Sequence, residues 1–292
     1  MAAIALGFAS AVVWGAADFL GGLKSRQLQL LTVLLISQAA GLVGVVIWAA
    51  ASGDGPPAEV VPWAISNAIA GTVGLAAFYR ALSVGAMGVV APISASAAAI
   101  PVAVGVIGGE RPAAIQIAGI ALAIVGVAIA SYEPPGAPLA EPGAATGGEG
   151  RGQIPRASTG VGLALLAALG FGVFFVGLDK GSDHDLLWTL VIGRSLSTGI
   201  LLVAALALRP SFEMSRGDLS AVVAVGLLDM GANALFAAGT TLGLVSVVSV
   251  LGSLYPVTTL ILARFLLGER LHRIQRSGAF VALLGVALIS AG

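Results

Sequence analysis

The chain has 292 residues, 58% of them hydrophobic and 10% charged, where a soluble domain carries about 25% charged residues. Fourteen basic and 14 acidic residues cancel, so no basic surplus exists to hold nucleic-acid phosphates. The absence of cysteine excludes disulfides, thiol nucleophiles and thiolate metal sites, and this much apolar surface points to lipid as the solvent.

A helix that crosses the hydrocarbon needs about 20 mostly apolar residues. Ten such spans are predicted: 3–23, 29–51, 61–83, 85–108, 112–131, 158–178, 186–208, 219–241, 243–266 and 273–291. Barrel strands would be about half as long and would alternate in polarity; no alternation is present. The first span has no Lys or Arg before it and is too long for a signal-peptide core, so it is read as a retained helix. Trp14 and Asp18 share one of its faces. Asp18 either lines a cavity or meets headgroups near the helix end. The third span carries Phe78, Tyr79 and Arg80, with Arg80 close enough to the end to snorkel. The fourth carries Ser94 and Ser96.

Glu110 and Arg111 stand at the junction of the fourth and fifth spans, and Glu269 and Arg270 at that of the ninth and tenth. These are read as structural: Glu beside the positive end of the next helix, Arg reaching headgroups. Gly119 and Gly126, and likewise Gly278, Gly285 and Gly292, recur at seven-residue spacing. Such a stripe of small residues suits close helix packing, so the fifth and tenth spans are expected to form a scaffold pair. Between the halves, "YEPPGAPLAEPGAATGGEGRGQIPRA" (132–157) is rich in Pro, Gly and polar residues and reads as a flexible linker.

The sixth span carries Phe171, Phe174 and Phe175. "DKGSDHD" (179–185) matches no metal spacing and is expected to be a solvated loop. Arg194 lies inside the seventh span. In the eighth, Asp229, Asn233 and Phe236 fall at i, i+4 and i+7, on one face. An ionisable residue inside a membrane span is a functional candidate by default, so Asp229 either contacts a substrate or neutralises Arg194. The ninth span adds Ser246, Ser249, Ser253 and Tyr255. Its serines, like Ser94 and Ser96, are candidates either for a cavity or for ordinary interhelical hydrogen bonds.

Two stretches say nearly the same thing. "GGERPAAIQIAGIALAIVGVAIAS" (108–131) over "LGERLHRIQRSGAFVALLGVALIS" (267–290) gives 11 identities in 24 positions. The likeness runs backwards through residues 75–94 over 233–252, matching Phe78 to Phe236 and Gly85 to Gly243, and weakly through 5–19 over 160–174. The chain therefore reads as a duplicated five-helix unit: 1–131, the linker 132–157, and 158–292. Five is odd, so the second copy crosses in the opposite sense. The predicted fold is an all-α membrane protein with ten helices as an inverted repeat, the plan of many secondary transporters.

With its five-plus-five spans, Gly-Glu-Arg before each Gly-spaced closing helix, and "LYPVTTLILARFLLGERL" (254–271), the chain resembles the EamA branch of the drug/metabolite transporter superfamily. The first half departs at Ala97, where the second has Pro256, so the fourth span is expected to bend elsewhere. The resemblance implies export of amino acids and related metabolites across a bacterial inner membrane, and cytoplasmic termini. The basic residues disagree on the last point: two face the side of the termini and eleven the side of the linker, which places the termini outside by the positive-inside rule.

Substrate-binding candidates are Trp14, Asp18, Phe78, Tyr79, Ser94, Ser96, Phe171, Phe174, Asp229, Asn233, Phe236 and Tyr255. They suit a solute with an apolar or aromatic side chain. No HExxH or GxSxG motif is present, so no enzyme activity, metal or cofactor is expected. The expected partners are the bilayer and a small solute, with a monomer as the unit. A sugar or nucleotide-linked solute, a non-transporting scaffold and an intramembrane enzyme are the alternatives.

Overall fold

The structure, a computed structural model, describes residues 1–25, 27–52, 55–84, 93–94, 96–130, 157–266 and 273–291, less the side chains of residues 52, 79, 82–84, 130, 157–159, 260, 263–264, 275 and 290. The described residues are helical, with no strand among them. The elements are α1 (Ala2–Ser25), α2 (Leu30–Ser52), α3 (Val60–Val84), a 3-10 turn (Ser96–Ala98), α4 (Ala99–Ile107), α5 (Ala114–Ala130), α6 (Ala157–Leu208), α7 (Arg216–Leu242), α8 (Val245–Gly252), α9 (Tyr255–Leu266) and α10 (Arg273–Ala291). Stretches long and apolar enough to cross a membrane lie in α1, α2, α3, α6 and α7.

The outer surface is as apolar as the interior: Ile47, Val203, Leu206 and Phe280 are each at least 66% exposed. In water these residues would be a liability; in hydrocarbon they are solvated. With no hydrophobic drive between helices, close approach falls to small residues. Gly170 meets Gly74 so closely that a Cβ on it would lie 2.6 Å from the Gly74 Cα. Gly15 lets α1 rest on α9, where a Cβ would lie 2.7 Å from the Tyr255 carbonyl oxygen.

α3 packs on α6, α1 on α7, and α5 on α10. At the last contact a Cβ on Gly126 would lie 2.6 Å from Ala282 Cα, one on Gly119 2.7 Å from the Gly285 carbonyl oxygen, and one on Gly285 2.5 Å from Ala123 N. Gly278 is also buried. The apolar cluster there, including Ile120, Ala123, Val127, Ala282 and Ile289, is separate from the one around Trp14, Phe175 and Phe236.

Three expectations need correction. The segment 179–185 is not a solvated loop. It continues α6, whose 52 residues would reach about 75 Å at 1.5 Å per residue, well over a bilayer's width of about 30 Å. The helix folds at Asp185 (φ −159°, ψ 112°) into two arms, 157–184 and 186–208. Asp185 makes the break by capping: its carboxylate accepts from Trp188 N at 2.8 Å and its carbonyl from the Thr189 hydroxyl at 2.7 Å. Asp179 is buried and pairs with Lys180 at 3.1 Å.

The fourth span does not bend away from Ala97. The 3-10 turn Ser96–Ala98 contains it, in nearly the register where α8 gives way to α9 at Ser253 and Leu254. The cause is shared although the prolines are shifted. Pro101 lies in the first turn of α4 and Pro256 in that of α9, where a missing N–H is tolerated. The helix before each proline must therefore stop.

Glu110 does not serve the helix that follows it. Gly109 turns the chain with φ 103°, a conformation that favours glycine. The Glu110 carboxylate then accepts from Val245 N at 2.6 Å and Ser246 N at 3.1 Å, capping α8 from the other half. Gln116 takes over at α5, accepting from Ala113 N at 2.9 Å. Arg111 is exposed. Glu269 and Arg270 lie outside the described residues.

Candidate functional site

A cavity of about 140 Å³ lies among α1, α2, α3, both arms of α6, α7 and the α8–α9 break. One water needs about 10–15 Å³ on this measure, so the space takes on the order of ten waters, or one small organic solute. It lies where helices of the two halves meet, and it is mostly apolar with a polar side, the usual character of a small-molecule site.

The apolar wall is aromatic. Trp14 comes from α1, Phe78 from α3, Phe171, Phe174 and Phe175 from the first arm of α6, and Tyr255 from the start of α9. Phe78 meets Phe171 edge-on at 5.8 Å between ring centres, and Phe174 meets Phe175 at 5.6 Å. Phe236 is a correction to the candidate set. It is fully buried behind the wall, stacked on Phe175 at 4.9 Å and tilted against Trp14 at 5.6 Å. Its face of α7 turns into the protein one helical turn past Asn233, so it fixes the two rings that do reach the cavity.

The polar side is built around Arg194, itself 8% exposed. Its guanidinium donates to Asp229 at 2.5 Å and to the Gln38 side-chain oxygen, which also accepts from the Ser197 hydroxyl at 3.1 Å. Asn233 donates back to the Asp229 carbonyl at 2.6 Å, and Asn67 donates to the Phe174 carbonyl at 3.2 Å. Asp18 is on the cavity wall, one helical turn from Trp14.

Ser94 lines the cavity and is fully buried. Ser96 does not: it is the exposed residue of the 3-10 turn, with its hydroxyl donated to the Ile93 carbonyl at 2.6 Å. The side chain of Tyr79 lies outside the described residues. Gln38, Asn67, Thr72 and Ser197 line the site although sequence reasoning missed them. The signal that marks Gln38 and Asn67 is the one that marks Asp229, a polar side chain deep in an apolar span, applied to amides as well as charges.

Residues 158–291 match the model of the EamA-like transporter family. No curated protein matches the chain. A solved crystal structure, described only as that of a protein, aligns with a TM-score of 0.78 at 15% identity, covering 99% of this chain and 96% of its own. At that identity the likeness carries the fold alone.

Proposed function

We propose, from the match of residues 158–291 to the EamA-like transporter family, a family that implies a multi-pass membrane transporter of small solutes, that the chain exports amino acids with apolar or aromatic side chains by alternating access. The proposed unit is an inverted repeat of two five-helix halves, 1–131 and 158–292, joined by the linker 132–157, in a bacterial inner membrane. Helix pairing supports this. α1 packs on α7 as α3 packs on the first arm of α6, and α5 packs on α10; exchanging the halves maps each contact onto another or onto itself.

The observation that carries the substrate class is the cavity itself, an aromatic wall facing one Arg, two acids and three amides. Rings accept the side chain of an amino acid while the polar groups orient its charged end. Phosphorylated solutes fit poorly, because the one cavity cation among the described residues is already held by Asp229. The test is counterflow in proteoliposomes loaded with unlabelled solute. Labelled phenylalanine or leucine should accumulate against empty-vesicle controls, and labelled sugars and nucleosides should not. Accumulation of sugars alone would overturn the substrate class.

A further inference from the structure

Three charged side chains line the cavity among the described residues: Asp18, Asp229 and Arg194. Arg194 is committed. It holds Asp229 at 2.5 Å and is tied to Gln38 as well. Asp229 is committed in turn, to Arg194 by its carboxylate and to Asn233 by its carbonyl. Asp18 is different. It forms no hydrogen bond or ion pair among the described residues, and it shares the cavity with the like-charged Asp229. With the pair cancelled, the cavity carries one uncompensated carboxyl group.

We infer that Asp18 is the group that binds the ligand's ammonium, and that the site selects for a cationic amine on an apolar body over the matching anion; this rests on the transport reading above. A half-buried carboxylate on an apolar cavity wall with no partner is costly to keep ionised, and an ammonium is the complement that removes the cost. The surroundings fit that ligand. Trp14 lies one turn away on the same helix face, and Tyr255 lines the same cavity, so ring faces are at hand for a cation. A ligand carboxylate finds no free cation, because Arg194 would first have to release Asp229. The Arg194–Asp229–Gln38 set is thus a fixed wall against which the ligand is placed, and Asp18 is the specificity-determining residue.

The experiment compares three ligands with the same phenylethyl body: 2-phenylethylamine (cation), phenylalanine (zwitterion) and 3-phenylpropanoate (anion). Binding to the purified full chain in detergent micelles is followed by titration calorimetry at pH 7. The amine is expected to bind about tenfold or more tighter than the anion, the size of a charge-assisted hydrogen bond, with the zwitterion between them. Asp18→Asn, near-isosteric, should bring the amine down to the anion's level, and Asp18→Glu should keep the order. The wild-type order needs no variant, so a misfolded Asp18→Asn leaves the test standing. Binding and transport of phenylalanine with no preference for the amine would overturn the role of Asp18 and leave the transport reading intact. An unchanged order in a folded Asp18→Asn would do the same. Failure to bind any of the three would overturn both.

Discussion

Arg194 and Asp229, on the second arm of α6 and in mid-α7, are joined by a 2.5 Å hydrogen bond on the wall of a cavity, with the Arg side chain 7% and the Asp side chain 29% exposed. The asymmetry decides how the pair behaves. The Arg is sealed in and depends on its partners, whereas the Asp keeps an edge open to the cavity. Breaking a buried pair from one side strands the other charge and costs roughly 3–5 kcal/mol.

Asp229→Asn should therefore destabilise the protein by about 3 kcal/mol, the low end of that range, because Gln38 still accepts from Arg194. Asp229→Asn combined with Arg194→Gln should recover much of the loss, since no charge is then stranded. Thermal melts of both variants in micelles check this. If the single variant melts like the wild type, the pair is not what holds Arg194.

The α5–α10 contact admits no side chain at Gly126, where a Cβ would lie 2.6 Å from Ala282 Cα. Overpacking costs about 1–3 kcal/mol even where side chains can give, and here the obstacle is backbone. Gly126→Leu should cut the yield of folded protein severely, and Gly126→Ala should lower the melting temperature. Neither should alter the ranking of ligands among molecules that do fold, because this contact is remote from the cavity lining. A well-folded Gly126→Leu with altered ligand ranking would contradict the separation of scaffold from site.

Lys24 and Asp218 meet at 2.7 Å where α1 ends and α7 begins, with side chains 21% and 23% exposed. An accessible pair of this kind contributes little, because solvent screens it. Asp218 also forms a capping box with Ser215 at the start of α7, a second stabilising contact that Lys24 does not share. Asp218→Ala should thus destabilise more than Lys24→Met. Equal losses in parallel melts would mean that the capping box contributes nothing.

What could be read from the chain alone follows from the range of the interactions involved. Spans, the small-residue stripe of Gly119 and Gly126, and the shared face of Trp14 and Asp18 depend on local periodicity and composition. The choice between two roles for Asp229 reduces to one partner, since Arg194 is the other charge at mid-span. The rest is non-local or depends on backbone detail. Glu110 finds its partner 135 residues away, through a turn set by Gly109. Phe236 and Asn233 share a helix face, yet one turn of depth separates a ring behind the wall from an amide on it. The break at Ser96–Ala98 is hidden because Pro101 acts at a different distance from it than Pro256 does from its own.

The Glu110 contact yields the last prediction. The first N–H groups of α8 have no partners within their own helix, and two of them, Val245 and Ser246, are supplied by a single carboxylate from the other half. A charged acceptor also complements the positive helix end. Glu110→Ala removes both acceptors and should cost about 1–2 kcal/mol, the size of a lost cap; Glu110→Gln keeps one oxygen and should cost less. The loss should also be local. Hydrogen exchange at Val245 to Val248 should quicken in Glu110→Ala while α5 and α10 keep their protection, because their contact does not involve this carboxylate. Gly105 provides an independent check. A Cβ there would lie 2.7 Å from the Glu110 carboxyl carbon, so Gly105→Ala should displace the carboxylate and reproduce the exchange pattern without touching its charge. If α8 keeps its protection in both variants, the cap is a contact without consequence for the helix it meets.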